Sequence, residues 1–130
     1  METTELESKV YNALISNENL VGMLPKLKNG NIPIFHFVAP AGERDRYPIL
    51  VYLPISDVPV SFGDDEETFH EVTIRISIIT SNGDYTEINK IIRQIMTKEL
   101  DFERVQTVPA YDFETNKIIL QADYKIIIES

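Results

Sequence analysis

Two histidines, a run of acids and a pair of arginines are the residues whose chemistry stands out. His36 sits between Phe35 and Phe37, and His70 follows the run Asp64-Asp65-Glu66-Glu67 and precedes Glu71. A metal site would draw on His70 with Asp64, Asp65 and Glu67, but the spacing matches no metal motif. Both imidazoles therefore read as ordinary strand-edge residues. The chain has no cysteine, which excludes disulfides, thiolate zinc sites and cysteine nucleophiles. It contains no Gly-x-Ser-x-Gly, no phosphate loop and no Gly-x-Gly-x-x-Gly. With two isolated histidines, a nucleophile and its base are hard to assemble. The expectation is a protein that is not an enzyme and holds no cofactor.

The acids admit three readings. Asp64, Asp65, Glu66, Glu67 and Glu71 form a solvated, solubilising loop, a repulsive lining past which DNA slides without phosphate contacts, or a Ca²⁺ site. Arg44 and Arg46 flank Asp45. They suit either a solvated loop or pairing with an acidic patch on a neighbouring subunit, which would give orientation more than affinity. Tyr111 to Asn116 reads as a turn, because Asp112 and Asn116 are natural turn residues. Phe113, Glu114 and Asn116 at its tip are candidate partner contacts, unless Phe113 folds back onto the core.

The elements that must position these residues follow from periodicity. A length of 130 residues suits one domain spanning 1–130. The net charge is −9, which argues against a general nucleic-acid binder. No apolar run approaches 18 residues, so no transmembrane helix is expected, and the acidic Met1–Glu5 does not resemble a signal peptide. The chain is accordingly expected in the cytoplasm when made. Thr4 and Glu7 form a capping-box pattern ahead of Leu6, Val10, Ala13 and Leu14 at helical spacing. Residues 19–24 add a short helical turn. Ile32 to Val38 and Pro48 to Leu53 read as strands, with irregular stretches at 39–47 and 54–63. From about Thr68 to Thr80, Val72, Ile74, Ile76 and Ile78 alternate with Glu71, Thr73, Arg75 and Ser77. A second helix starts at Asp84–Glu87 and buries Ile88, Ile91, Ile92, Ile95 and Met96. Phe102 to Val108 and Lys117 to Glu129 are the last strands. The fold class is α+β: one mostly antiparallel sheet with two helices packed on one face, in the order α-β-β-β-α-β-β.

Two of these strands, 68–80 and 117–129, are unusually long. Each would span about 43 Å, against a diameter of about 36 Å for a compact chain of this size. Either they project beyond the core or a bulge bends them, and Ile78-Ile79 is a plausible place for one. Ile119 and Ile127 on the otherwise polar side of the last strand suit burial by a partner.

In its element order the chain resembles the tail-completion, or tail-terminator, proteins that join head to tail in long-tailed bacteriophages and prophages. The resemblance covers most of the chain. It rests on Val10-Tyr11 and Ala13-Leu14 followed by Asn19-Leu20-Val21-Gly22, on Tyr47-Pro48-Ile49-Leu50-Val51, and most of all on Phe69 to Ile78, where a histidine opens an alternating strand. The helix over 85–100 and the turn over 112–116 match in order and length. The aromatic often found near the end of the alternating strand is replaced by Ile79 and Thr80. The resemblance implies a virion structural protein. It would form a ring, typically a hexamer, that caps the tail tube and docks to the head connector while DNA passes through unbound. The ring could also form only on its partner, leaving a monomer in isolation. No membrane is involved. Asp64–Glu67 would then face the lumen or a partner, and Arg44, Arg46 and 113–116 would be subunit or tube contacts. Alternatives are another neck protein, a head-closure or connector component, or a small metal- or ligand-binding protein using His70.

Overall fold

The structure is a computed structural model that describes residues 1–60 and 69–129. In chain order the elements are α1 (Thr3–Ser16), α2 (Glu18–Gly22), β1 (Ile34–His36), β2 (Ile49–Val60), β3 (Phe69–Thr80), α3 (Thr86–Gln94), β4 (Glu103–Asp112) and β5 (Lys117–Glu129). A 3-10 turn at Ala41–Glu43 lies between β1 and β2, and a π turn at Ile95–Glu99 continues α3. The fold is α+β, and the five strands lie in the order β1-β2-β3-β5-β4.

The alternation in β3 does what its period demands. Val72, Ile74, Ile76 and Ile78 are fully buried on one face, where they meet Leu120, Ala122 and Tyr124 of β5. Leu6, Val10 and Leu14 of α1, Leu20 of α2, and Ile88 and Ile92 of α3 cover that same face. The helices thus occupy one layer and the sheet the other. The π turn adds a residue to the last turn of α3, and Ile95 and Met96, neighbours in sequence, are both buried.

Several expectations need correction. The helix opens before Thr4: its N-cap is Glu2, whose carbonyl accepts from Glu5 N at 3.1 Å and Leu6 N at 3.2 Å. Thr3 is spent instead on a tertiary bond, its hydroxyl donating to Asp57 at 2.6 Å. Residues 54–60 are not irregular but form the outer half of β2. Pro54 and Pro59 are tolerated there because β1 pairs only with Leu50–Tyr52, leaving the rest of β2 as an edge. Not every pair of strands neighbouring in sequence is antiparallel. β1 and β2 run parallel, since the chain between them is long enough for a crossover. Of the two readings of the long strands, a bulge at Ile78-Ile79 is not found: β3 pairs with β5 without a register shift from Phe69 to Thr80. Bulges fall instead in the outer strands, around Ile55 in β2 and Val105 in β4. β4 also runs on to Asp112, so Tyr111 and Asp112 are paired and the turn proper is 113–116.

Candidate assembly surfaces

The β4–β5 turn is built by its own side chains. Asp112 accepts from Glu114 N at 3.0 Å and from the Thr115 hydroxyl at 2.8 Å. The Tyr111 hydroxyl donates to Asn116 Oδ1 at 3.0 Å, and Asn116 takes the left-handed conformation with φ 56°. The Thr115 hydroxyl, then the backbone bonds and the charge of Arg44, hold the Asp112 carboxyl below its ordinary value. Phe113 does not fold back onto the core. It is 85% exposed and meets Tyr111 edge to face, ring centroids 4.9 Å apart.

The loop from Phe37 to Tyr47 reaches this same end. It crosses the sheet face away from the helices, where Ala39 buries against Ile49 and Val51. Lys117 sits over the Tyr47 ring at 4.5 Å. Between the loop and the sheet is a cleft of about 300 Å³ whose lining includes Phe37, Arg44, Ser77, Ile119 and Gln121. Ile119 on the polar side of β5 is therefore explained within the chain, whereas Ile127 is 51% exposed. Arg44 lies near the turn, close enough for its charge to act on Asp112. Arg46 points elsewhere, donating to the carbonyl of Lys26 at 2.8 Å. Gly83 closes the same end with φ 81°, and an added Cβ would lie 3.3 Å from Ile118 Cδ1.

The rest of the helix-free face carries a polar row. Arg75, Asp123 and Gln106 are register partners on β3, β5 and β4. Arg75 donates from Nε to Asp123 Oδ1 at 2.8 Å and from Nη2 to Oδ2 at 3.1 Å, and Gln106 donates to Oδ2 at 2.9 Å. Burial pushes the Asp123 carboxyl up, yet the bonds from Arg75 and Gln106 outweigh it and hold the group below its ordinary value. The same pairing raises Arg75.

At the opposite end His70 is buried, its Nδ1 2.6 Å from Asp57 Oδ1. Hydrogen bonds from Thr3, then from His70, lower the Asp57 pKa. Asp64, Asp65, Glu66 and Glu67 lie outside the described residues, as does any metal site they would share with His70. Among the described residues no cluster of three or more His, Asp or Glu is placed to hold a metal ion. His36 pairs with the buried Glu7 of α1 and stacks on Tyr52 with ring centroids 5.0 Å apart. Burial, then the nearby Tyr11 and Glu7, raises the Tyr52 pKa.

Sequence reasoning missed several exposed groups. Phe37 is 55% exposed in a left-handed conformation, φ 69°, that a bulky side chain adopts only under strain. Val58 on β2 and Val108 on β4 are also exposed. Only the prolines Pro54, Pro59 and Pro109 signalled that these strands are edges.

No protein-family model and no curated protein matches the chain. Solved structures do. A chain from the virion of a native gene transfer agent particle superimposes with a TM-score of 0.64 at 11% identity, covering 96% of this chain and 95% of that one. The two share a fold. The gp17 protein of bacteriophage SPP1 aligns over 93% of this chain and 88% of its own at 17% identity. Its TM-score of 0.43 lies below the level that establishes a common fold.

Proposed function

We propose that this chain is a tail-completion protein of a phage, a prophage or a phage-derived particle. It acts by binding alone: the chain, as one domain, joins copies of itself into a ring, six in number, that stops the tail tube and receives the head connector. DNA passes through the ring without specific contacts, and the protein resides in the virion after assembly in the host cytoplasm. The observation that carries this reading is the fold shared, over nearly the whole of both chains, with a component of a gene transfer agent virion. The physical character of the chain supports it. β4 and the outer half of β2 leave unpaired edges, and the net charge of −9 disfavours gripping phosphates.

Within this role Arg44 and the tip residues Phe113, Glu114 and Asn116 form one contact surface, for the tube or for a neighbouring subunit. Arg46 holds the adjoining loop in place. Asp64 to Glu67 face the lumen or a partner. The test is electron microscopy of tail tubes polymerised with and without the protein. Tubes of limited length with ring density at one end are expected. Tubes of unchanged length without end density would sink the reading. Replacing the four acids with serine should leave the fold intact and disturb assembly.

A further inference from the structure

The described residues include five arginines, and three have a local role: Arg75 holds Asp123, Arg46 binds a carbonyl, and Arg44 stands by Asp112. Arg93 of α3 and Arg104 of β4 form no ion pair among the described residues. Both lie close enough to Tyr124 for their charge to act on its hydroxyl, so they share one corner of the molecule. Arg104 donates to the Thr107 hydroxyl at 3.2 Å, while the buried Nε of Arg93 has no partner. In a chain with 21 acids and 12 bases, two arginines at one corner with no carboxylate partner among the described residues suit a partner that supplies one.

The opposite edge carries the complement. Asp57 of β2 is bound by Thr3 in the first turn of α1 and by His70, beside the exposed Glu2 and Glu5, while the Met1 ammonium there is taken up by the Glu129 carbonyl. The two corners also match in layer. Arg104 pairs in register with Tyr124, and Asp57 with Val72, both of which point to the helix-covered face. Arg104 and Asp57 therefore stand on the same side of the sheet. Val108 pairs with Gln121 and Val58 with Glu71, so these exposed valines share the other side. Two edges of one sheet, opposite in charge on one side and alike in apolar surface on the other, are what a head-to-tail contact requires.

We propose that a second copy of the chain docks its acidic corner of Asp57, Glu2 and Glu5 against the basic corner of Arg93 and Arg104, edge to edge and head to tail. This rests on the ring reading and locates the subunit contact in it. The like charges within each corner oppose isologous contacts that would bring a corner against its own copy.

The test is a charge swap. One variant carries Arg93→Glu with Arg104→Glu, the other Glu2→Lys with Glu5→Lys. Self-association is followed by sedimentation velocity at low salt, with circular dichroism to confirm folding and electron microscopy to identify the particles. Each variant alone should associate about tenfold or more weakly than the wild type, and added salt should weaken the wild type. An equimolar mixture should recover assembly, because every contact is then between unlike corners. Wild-type rings that persist unchanged in the arginine variant overturn this docking and leave the ring reading standing, as does failure of the folded mixture to assemble. A wild type that forms only closed two-fold dimers, or that forms no ring at the highest attainable concentration and none on polymerised tail tubes, overturns both.

Discussion

The central pair of strands and the outer pair are built by different rules. β3 and β5 run in unbroken register and bury a continuous row of branched residues under the helices. β2 and β4 each carry a bulge and at least one proline, and much of their length is exposed. The inner strands place their energy in packing, which tolerates no change of volume. The outer half of β2 and the free side of β4 keep their backbone groups and side chains for contacts the chain does not make with itself. A sheet of this kind is stable at its centre and interactive at its rim.

Substitutions should separate the two regimes. The largest effect belongs to the centre: Ile76→Ala should cost about 3–4 kcal/mol in urea unfolding, since the residue is fully buried. An Ile76 variant within 1 kcal/mol of wild type, a bound on the order of a surface substitution, would erase the contrast. Next comes the ion pair on the helix-free face. Asp123→Ala leaves Arg75 without its bidentate partner and should cost about 2–3 kcal/mol, less than a wholly buried pair because Arg75 is partly solvated.

The same carboxylate makes stability depend on pH. Asp123 and Asp57 are both held below the ordinary 3.8. Their contribution is therefore present in full above that value, and is lost as pH falls below 3.8 and through the lower folded-state values. An acid titration of unfolding should show this loss in the wild type and a shallower one in Asp123→Asn. Equal slopes would remove Asp123 from the account.

At the rim, Val108→Asp should shift stability by less than about 0.5 kcal/mol while reducing self-association. A large loss of stability would mean that β4 belongs with the centre. The smallest effect is at the turn, where Phe113→Ala should leave the melting temperature unchanged. Any consequence should appear only in binding to tail tubes.

The legible part of this molecule was the part governed by period. The alternation from Val72 to Ile78 and the apolar stripe of Ile88, Ile92 and Ile95 announced the sheet, its helix layer and most of the core. Residues 54–60 were illegible for the opposite reason. Pro54, Pro59 and Asp57 read as loop residues, and only the pairing of each with β3 makes them strand. Long-range hydrogen bonding overrode local propensity there. The turn at Asp112–Asn116 was legible because its side chains bond locally. The roles of Arg75, Arg93 and Arg104 were not, because they depend on which strands lie side by side.

β1 has a consequence in time as well as in space. Only Ile34, Phe35 and His36 pair with β2, and Pro33 immediately before them has no amide hydrogen to give. Beyond the sheet, His36 is tied to α1 through Glu7. Two more bonds, Leu50 N to the Pro33 carbonyl at 2.9 Å and Phe37 N to the Tyr52 carbonyl at 3.0 Å, close its ends, and a segment this short should open ahead of the global unfolding of the chain, which amide hydrogen exchange would show. Each opening bares the backbone of Leu50 to Tyr52, so the free rim of the sheet briefly extends along the whole of β2.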